Sequence, residues 1–296
     1  MPVFTRCLKL SALAACLVSA AWAQDTMDLN QVRERARQIQ SRMFGPRRCQ
    51  TPWWECIAPE VQSLRALLRD YTVWRLNRSG GDTDELVNDL STVDDVFGVE
   101  IRRKELGPKN LKGLPPQVLR QAVTGGELIV IKHLFETEQL AMPASLALIQ
   151  GFRRLGSNEY VFADDTGDAM SGVMWPGIGK IESPVRGELW FIAGGQVGGF
   201  MGDLDREGIY SFDGFHFKQQ WKPEDREDMQ VTIDDDRIHL TYLGPKIERA
   251  IGFPSQHWME ERLEISSSGV FRTLLIDHGE GSPPIGPPPH EPGKKQ

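Results

Sequence analysis

Apolar residues follow two regimes along the 296-residue chain, a helical period up to about residue 123 and a period of two beyond it. Across 28–43, Leu29, Val32, Ala36, Ile39 and Met43 recur at three- and four-residue spacing, the stripe of an amphipathic helix. Asp28 or Asn30 stands ready to cap its start, and Gly45-Pro46 stops it. A second helix is predicted from Pro59, a residue suited to a first turn, with Val61, Leu64, Leu67, Leu68, Tyr71 and Trp74 as its stripe. Ser79-Gly80-Gly81-Asp82 breaks it. A weaker helical stretch spans 83–90, and a short helix is predicted near 117–123 after Pro115-Pro116.

From Thr124-Gly125-Gly126 onward the alternation predicts strands over 128–135, 146–152, 160–163, 188–193, 209–212, 215–221, 229–233, 238–243, 259–265 and 270–276. Their joints are short and rich in turn residues: Asp213-Gly214, Asp234-Asp235-Asp236 and Ser267-Ser268-Gly269. Met229, Val231 and Ile233 share one side of their strand, as do Ile238, Leu240 and Tyr242, while Gln230, Thr232, Arg237, His239 and Thr241 take the other. One apolar and one wet face is the signature of an antiparallel meander, closing as a sandwich or a barrel. Phe215, Phe217 and Trp221 have equal parity and are expected in the core. The fold class expected is α+β: a helical N-terminal region (24–125) packed on an antiparallel β domain (126–277), with a disordered Pro/Gly-rich tail over 278–296.

The first 23 residues follow a third pattern. Arg6 and Lys9 precede an apolar run over 10–20, and Ala21-Trp22-Ala23 has the small-x-small form read by signal peptidase. The run is shorter than the roughly 20 residues that a membrane helix needs. Cleavage after Ala23 leaves a soluble periplasmic or secreted chain beginning at Gln24. The alternative, cleavage before Cys16 in Leu13-Ala14-Ala15-Cys16, gives a lipid-anchored chain but leaves an apolar core of only about six residues. Export changes the reading of the cysteines, because Cys7 and Cys16 leave with the signal. Cys49 and Cys56 then bracket Gln-Thr-Pro-Trp-Trp-Glu as a disulfide in an oxidising compartment, with a stabilisation of about 2–3 kcal/mol on the chain-entropy model. Losing Arg6 and Lys9 also moves the formal net charge from −7 to −9, which argues against nucleic acid as a partner.

Candidate chemistry is sparse. Gly202-Asp203-Leu204-Asp205-Arg206-Glu207-Gly208 carries three acids at alternate positions followed by glycine, the first half of a calcium loop. The segment resembles the Asp-x-Asp-x-Asp-Gly loops of integrin-type propeller repeats. That resemblance implies calcium ligation by Asp203, Asp205 and Glu207, although Ser211 and Gly214 depart from the later ligand positions of an EF-hand. An acidic hairpin turn is the simpler reading. Gly194, Gly195, Gly198, Gly199 and Gly202 lack the spacing of a phosphate loop, and Met174 and Ile181 break the Walker pattern over 172–181. Asp164, Asp165 and Asp168 offer paired carboxylates for glycoside chemistry, though in the setting of a turn. His216 and His239 lie on separate strands, where zinc needs a further ligand. No Gly-x-Ser-x-Gly or His-Glu-x-x-His occurs, and no free cysteine is expected after export. The expectation is an exported, non-enzymatic binding or interaction protein for an envelope protein or polymer. The alternatives are an envelope-polymer hydrolase using acids near Asp164 or Asp203, and a small apolar-ligand carrier if the meander encloses an open barrel.

Overall fold

The computed structural model describes residues 27–44, 53–94, 96, 116–137, 144–156, 159–167, 174–199, 202–222, 226–234, 237–245 and 255–281. Residues 1–26, Cys49 and residues 282–296 lie outside this set, and so do the expectations attached to them. Among the described residues three helices come first: α1 (Leu29–Phe44), α2 (Trp53–Arg78) and α3 (Thr83–Asp94). Asp28 caps α1, its carboxylate accepting from Asn30 N–H at 3.3 Å, and Asp82 caps α3 by accepting from Asp84 N–H at 2.9 Å. α2 starts six residues before Pro59, so Trp53, Trp54 and Cys56 belong to the helix rather than to a loop. Cys56 is half-buried and is not a free thiol. Among the described residues, no helix is long and apolar enough to cross a membrane.

Twelve strands follow among the described residues, and their pairings are antiparallel. Sheet 1 has the order β1 (Gln117–Val123), β2 (Gly126–Thr137), β3 (Ala144–Leu155), β4 (Val161–Asp165). The segment expected as a short helix near 117–123 is therefore a strand, paired from Gln117↔Lys132 to Val123↔Gly126. Between Pro116 and the Thr124-Gly125 turn there is room for barely two helical turns, and the hairpin supplies a full ladder of bonds instead. Sheet 2 contains β5 (Met174–Ile181), β6 (Leu189–Gly199), β7 (Gly202–Phe212), β8 (Phe217–Trp221), β9 (Arg226–Asp234), β10 (Arg237–Leu243), β11 (Trp258–Ser266) and β12 (Gly269–Asp277). Its order is β12-β11-β10-β9-β7-β6-β5, with β8 on the C-terminal half of β7. β5 escapes the alternation pattern because Pro176, Gly177 and Gly179 interrupt it, residues that an edge strand tolerates.

Side-chain parity stacks these elements in layers. The helices bury Val32, Ala36, Leu64, Leu68, Tyr71, Leu86 and Leu90 against Ile129, Ile131, Leu148 and Phe152 of sheet 1. The opposite face of sheet 1, through Leu128, Val130 and Ile149, packs on Leu189, Phe191, Tyr210 and Phe212. Sheet 2 then turns back at the short β7/β9 junction, where only Leu204↔Glu227 and Asp205↔Arg226 pair, and β12 comes to lie beside β8. Trp190, Ile209, Ile238, Leu240, Leu263 and Ile265 fill the space so enclosed. The antiparallel expectation holds, while β2, β6 and β7 are covered on both faces instead of one. The ordered chain also runs past Asp277: His278 N–H donates to Trp258 O, and Trp258 N–H donates to Gly279 O, both at 2.9 Å.

Candidate interaction site

One end of the sandwich gathers the turns that join its hairpins. The register of sheet 1 sets Gln121, Leu128, Arg153 and Val161 in one row across the four strands. Beyond that row lie the Thr124-Gly125 turn and the exposed Leu155. On sheet 2 the same end carries the β5–β6 loop (182–188) and the β7–β8 turn (213–216). The two sheets meet here at glycine: a Cβ on Gly151 would overlap the Phe212 ring, so the bare backbone of β3 admits Phe212 and Phe217, which stack at 4.7 Å.

The β7–β8 turn holds Phe215 out in a fixed pose. Asp213 accepts from the N–H groups of Phe215 and His216, both at 2.7 Å, through one carboxylate oxygen. Gly214 has φ +90°, and a Cβ there would press on Leu128. The Arg153 guanidinium lies 3.7 Å from the centroid of the Phe215 ring, a contact of about 0.5–1 kcal/mol at an exposed site. Half of Phe215 remains exposed. Val161, opposite Arg153 in that row, and Leu155, just beyond it, are also exposed. Phe215 was expected in the core by parity with Phe217 and Trp221. The turn places it outside, and a bulge between the Ile209↔Trp221 and Tyr210↔Gln219 pairs sends Trp221 to the other layer. An aromatic directly after Asp-Gly was the signal available, since the tip of a hairpin cannot also be core.

About two strand spacings from Arg153, or roughly 10 Å, a groove of about 480 Å³ separates the end of β1 from the β5–β6 loop. Gln121, Val123, Lys180, Glu182, Arg186 and Glu188 line it. Its walls are braced: Lys180 Nζ donates to Arg120 O at 2.8 Å, Trp190 Nε1 donates to Glu188 at 2.8 Å, and Ser183 Oγ donates to Val185 O at 2.7 Å.

The acids expected to act together are placed differently. Asp164 accepts from Phe217 N–H at 2.8 Å and from Asp165 N–H at 3.0 Å, and Asp165 accepts from Gly167 N–H at 2.8 Å. These carboxylates tie β4 to β8 and close a turn; Asp168 lies outside the described residues. Asp203, Asp205 and Glu207 are not in a loop. They occupy alternate positions of β7, opposite Gly198, Gln196 and Gly194, where a strand spaces them about 7 Å apart instead of curling them around one ion. Their side chains are outside the described set. Among the described residues, no group of three His, Cys, Asp or Glu suits a metal ion.

His216 and His239 do not converge. His216 Nδ1 sits 3.7 Å from Asp164, and His239 Nε2 sits 3.0 Å from Glu260 on β11. Arg262 donates to that same oxygen, Oε1, at 2.9 and 3.1 Å, and His278 Nε2 approaches Oε2 at 2.9 Å. Burial pushes the Glu260 carboxyl up, but the bonds from His278, Arg262 and His239 outweigh it and hold the group below its ordinary range. Arg262 already neutralises the carboxylate, so the cluster is a charge-compensated lock between β10, β11 and the end of β12. Neither Glu260 nor His278 was legible as a partner, because only the cross-strand register brings them together. No protein-family model, curated protein or solved structure matches the chain.

Proposed function

We propose that this is an exported binding protein, released after Ala23, stapled by Cys49–Cys56, and engaging an envelope partner through the turn-bearing end of its sandwich. The observation that carries the reading is Phe215: a half-exposed aromatic ring locked by Asp213 and seated on Arg153. Aromatic and arginine anchors dominate interface energetics, and one already held in a single pose loses little entropy on binding. The hydrolase alternative has less support, since Asp164 and Asp165 spend their lone pairs on backbone N–H groups. The carrier alternative needs an open interior, and side chains such as Trp190 and Leu240 occupy the space that sheet 2 encloses.

The test is comparative capture from envelope extracts with the mature chain as bait. A partner enriched by the wild type should be lost with Phe215→Ala and weakened with Arg153→Ala, yet retained with Phe271→Ala, an equally exposed phenylalanine on β12. Identical profiles for all four baits would remove the reading. Intact mass of the bait checks the address: a chain starting at Gln24 supports it, and an acylated Cys16 replaces release with anchoring.

A further inference from the structure

The groove offers backbone as well as side chains. β1 ends sheet 1 and β5 ends sheet 2, so two strand edges face each other beside it. Ile178 N–H donates to Gln117 Oε1 at 2.9 Å, which shows that the backbone of Ile178 points away from β6. Antiparallel ladders alternate strictly between residues that bond the neighbour and residues that point away. Gly179 and Ile181 therefore bond β6, and the N–H and C=O of Lys180 point outward, as those of Ile178 do. On the opposing edge two outward carbonyls are taken by side chains. Arg120 O accepts from Lys180 Nζ at 2.8 Å, and Ala122 O accepts from Gln121 Nε2 at 3.2 Å. Among the described residues, the outward backbone pair of Lys180 has no such plug, and it opens on a groove of about 480 Å³.

We propose that this groove binds an extended polypeptide segment, which adds as a strand to the edge of β5 at Lys180. A donor and an acceptor displayed side by side on a strand edge match the backbone of another strand, and backbone bonds give such additions their affinity. Glu182 and Arg186 rim the groove with opposite charges, so neither an acidic nor a basic segment is repelled as a whole. The inference rests on the partner-binding reading and supplies the ligand chemistry for the second surface of that end.

Lys180→Pro isolates the point. It deletes the outward N–H of Lys180, which the β6 ladder does not use, whereas Lys180→Ala removes the side chain and keeps the N–H. The probes are fluorescein-labelled, capped hexapeptides of alternating Thr and Val, with one central residue varied as Glu, Lys or Leu, plus a backbone N-methylated copy. Anisotropy with the mature chain should show saturable binding below about 1 mM. Binding should weaken about tenfold with Lys180→Pro and with the N-methylated peptide, and by less than about threefold with Lys180→Ala. Phe215→Ala should leave peptide binding intact, so failure at Phe215 and failure at the groove are separable. Absence of saturable binding for every probe overturns the proposal, and so does wild-type affinity in Lys180→Pro. Should that variant not fold, the N-methylated probe on the wild type decides alone. Concentration-dependent dimerisation that Lys180→Pro abolishes would also overturn it, by assigning the edge to a second copy of the chain.

Discussion

Gly80 and Gly81 end α2 side by side with φ +65° and +92°, yet alanine should behave very differently at the two positions. At Gly80 an added Cβ meets nothing within 4 Å. The cost is the left-handed backbone, about 1–2 kcal/mol, less about 0.4–1 kcal/mol gained because alanine restricts the unfolded chain. At Gly81 the same Cβ would overlap the hydroxyl of Tyr160. That ring has no room to retreat. Its hydroxyl donates to Glu127 at 2.7 Å, its backbone N–H donates to Asn77 Oδ1 at 2.6 Å, and its carbonyl accepts from Asn77 Nδ2 at 2.9 Å. Overpacking a fixed site adds about 1–3 kcal/mol. Gly80→Ala should therefore cost about 0–1.6 kcal/mol, and Gly81→Ala about 1–3 kcal/mol more than that. Urea unfolding followed by tryptophan fluorescence reads the difference directly: with a slope of about 2 kcal/mol/M, the Gly81→Ala midpoint should lie roughly 0.5–1.5 M below that of Gly80→Ala. Tyr160→Phe in the Gly81→Ala background should recover part of the loss, because it removes the overlapping oxygen. Equal midpoints for the two glycine variants, or no recovery, would refute the argument that Tyr160 is pinned.

Glu260→Gln should destabilise by about 1–2 kcal/mol at neutral pH, since it weakens charge-assisted bonds to His278 and Arg262, both partly exposed. The folded carboxyl lies below its ordinary 4.5, so its contribution is full above that value and fades as pH falls through the folded one. Melting curves of wild type and variant should accordingly converge in acid; a gap unchanged at pH 3 would contradict the sign. Asp213→Ala should cost about 1 kcal/mol, from two lost backbone bonds at an exposed turn. It should weaken partner capture as much as Phe215→Ala does, by freeing the ring. Full capture with Asp213→Ala would show that the fixed pose is irrelevant.

What could be read in advance follows from how local each constraint is. The stripe Val32, Ala36, Ile39, Met43 is written within one helix, and every member is buried. The pairing of Met229–Ile233 with Ile238–Tyr242 depends on a tight turn and on parity, and it too forms as expected. Gln117–Val123 was misread because its apolar pairs, Val118-Leu119 and Ala122-Val123, also fit one side of a helix. Only the partner strand Gly126–Lys132 decides. The acids of β7 were misread for a related reason, since alternate carboxylates followed by glycine occur in loops and strands alike, and eleven residues of β6 opposite them settle the matter. Single bulges did most to defeat the parity argument. The irregularity near Gln220 reverses the face of Trp221, and no local pattern announces it.

The layering itself directs where contact with other molecules can occur. Leu128 to Ile131 are all fully buried, because sheet 1 has helices on one face and β6 and β7 on the other. A central sheet clad in this way cannot offer a face to a partner. What remains are ends and edges. Among the described residues, the 124–125 turn and the end of β3 in sheet 1, and the 182–188 and 213–216 links of sheet 2, fall at one end, since antiparallel strands return their chain to the end they left every second strand. That end therefore accumulates exposed turn chemistry without strain on the core: Asp213 and Gly214 fix a tip, and Lys180 keeps its outward backbone. The edge of β5 reaches the same end because β1 and β5 terminate their sheets in alignment, bridged by Gln117 to Ile178 and by Lys180 to Arg120. An anchor and an open strand edge at one end of the sandwich can thus serve one partner, provided that it presents both a cleft for Phe215 and an extended segment.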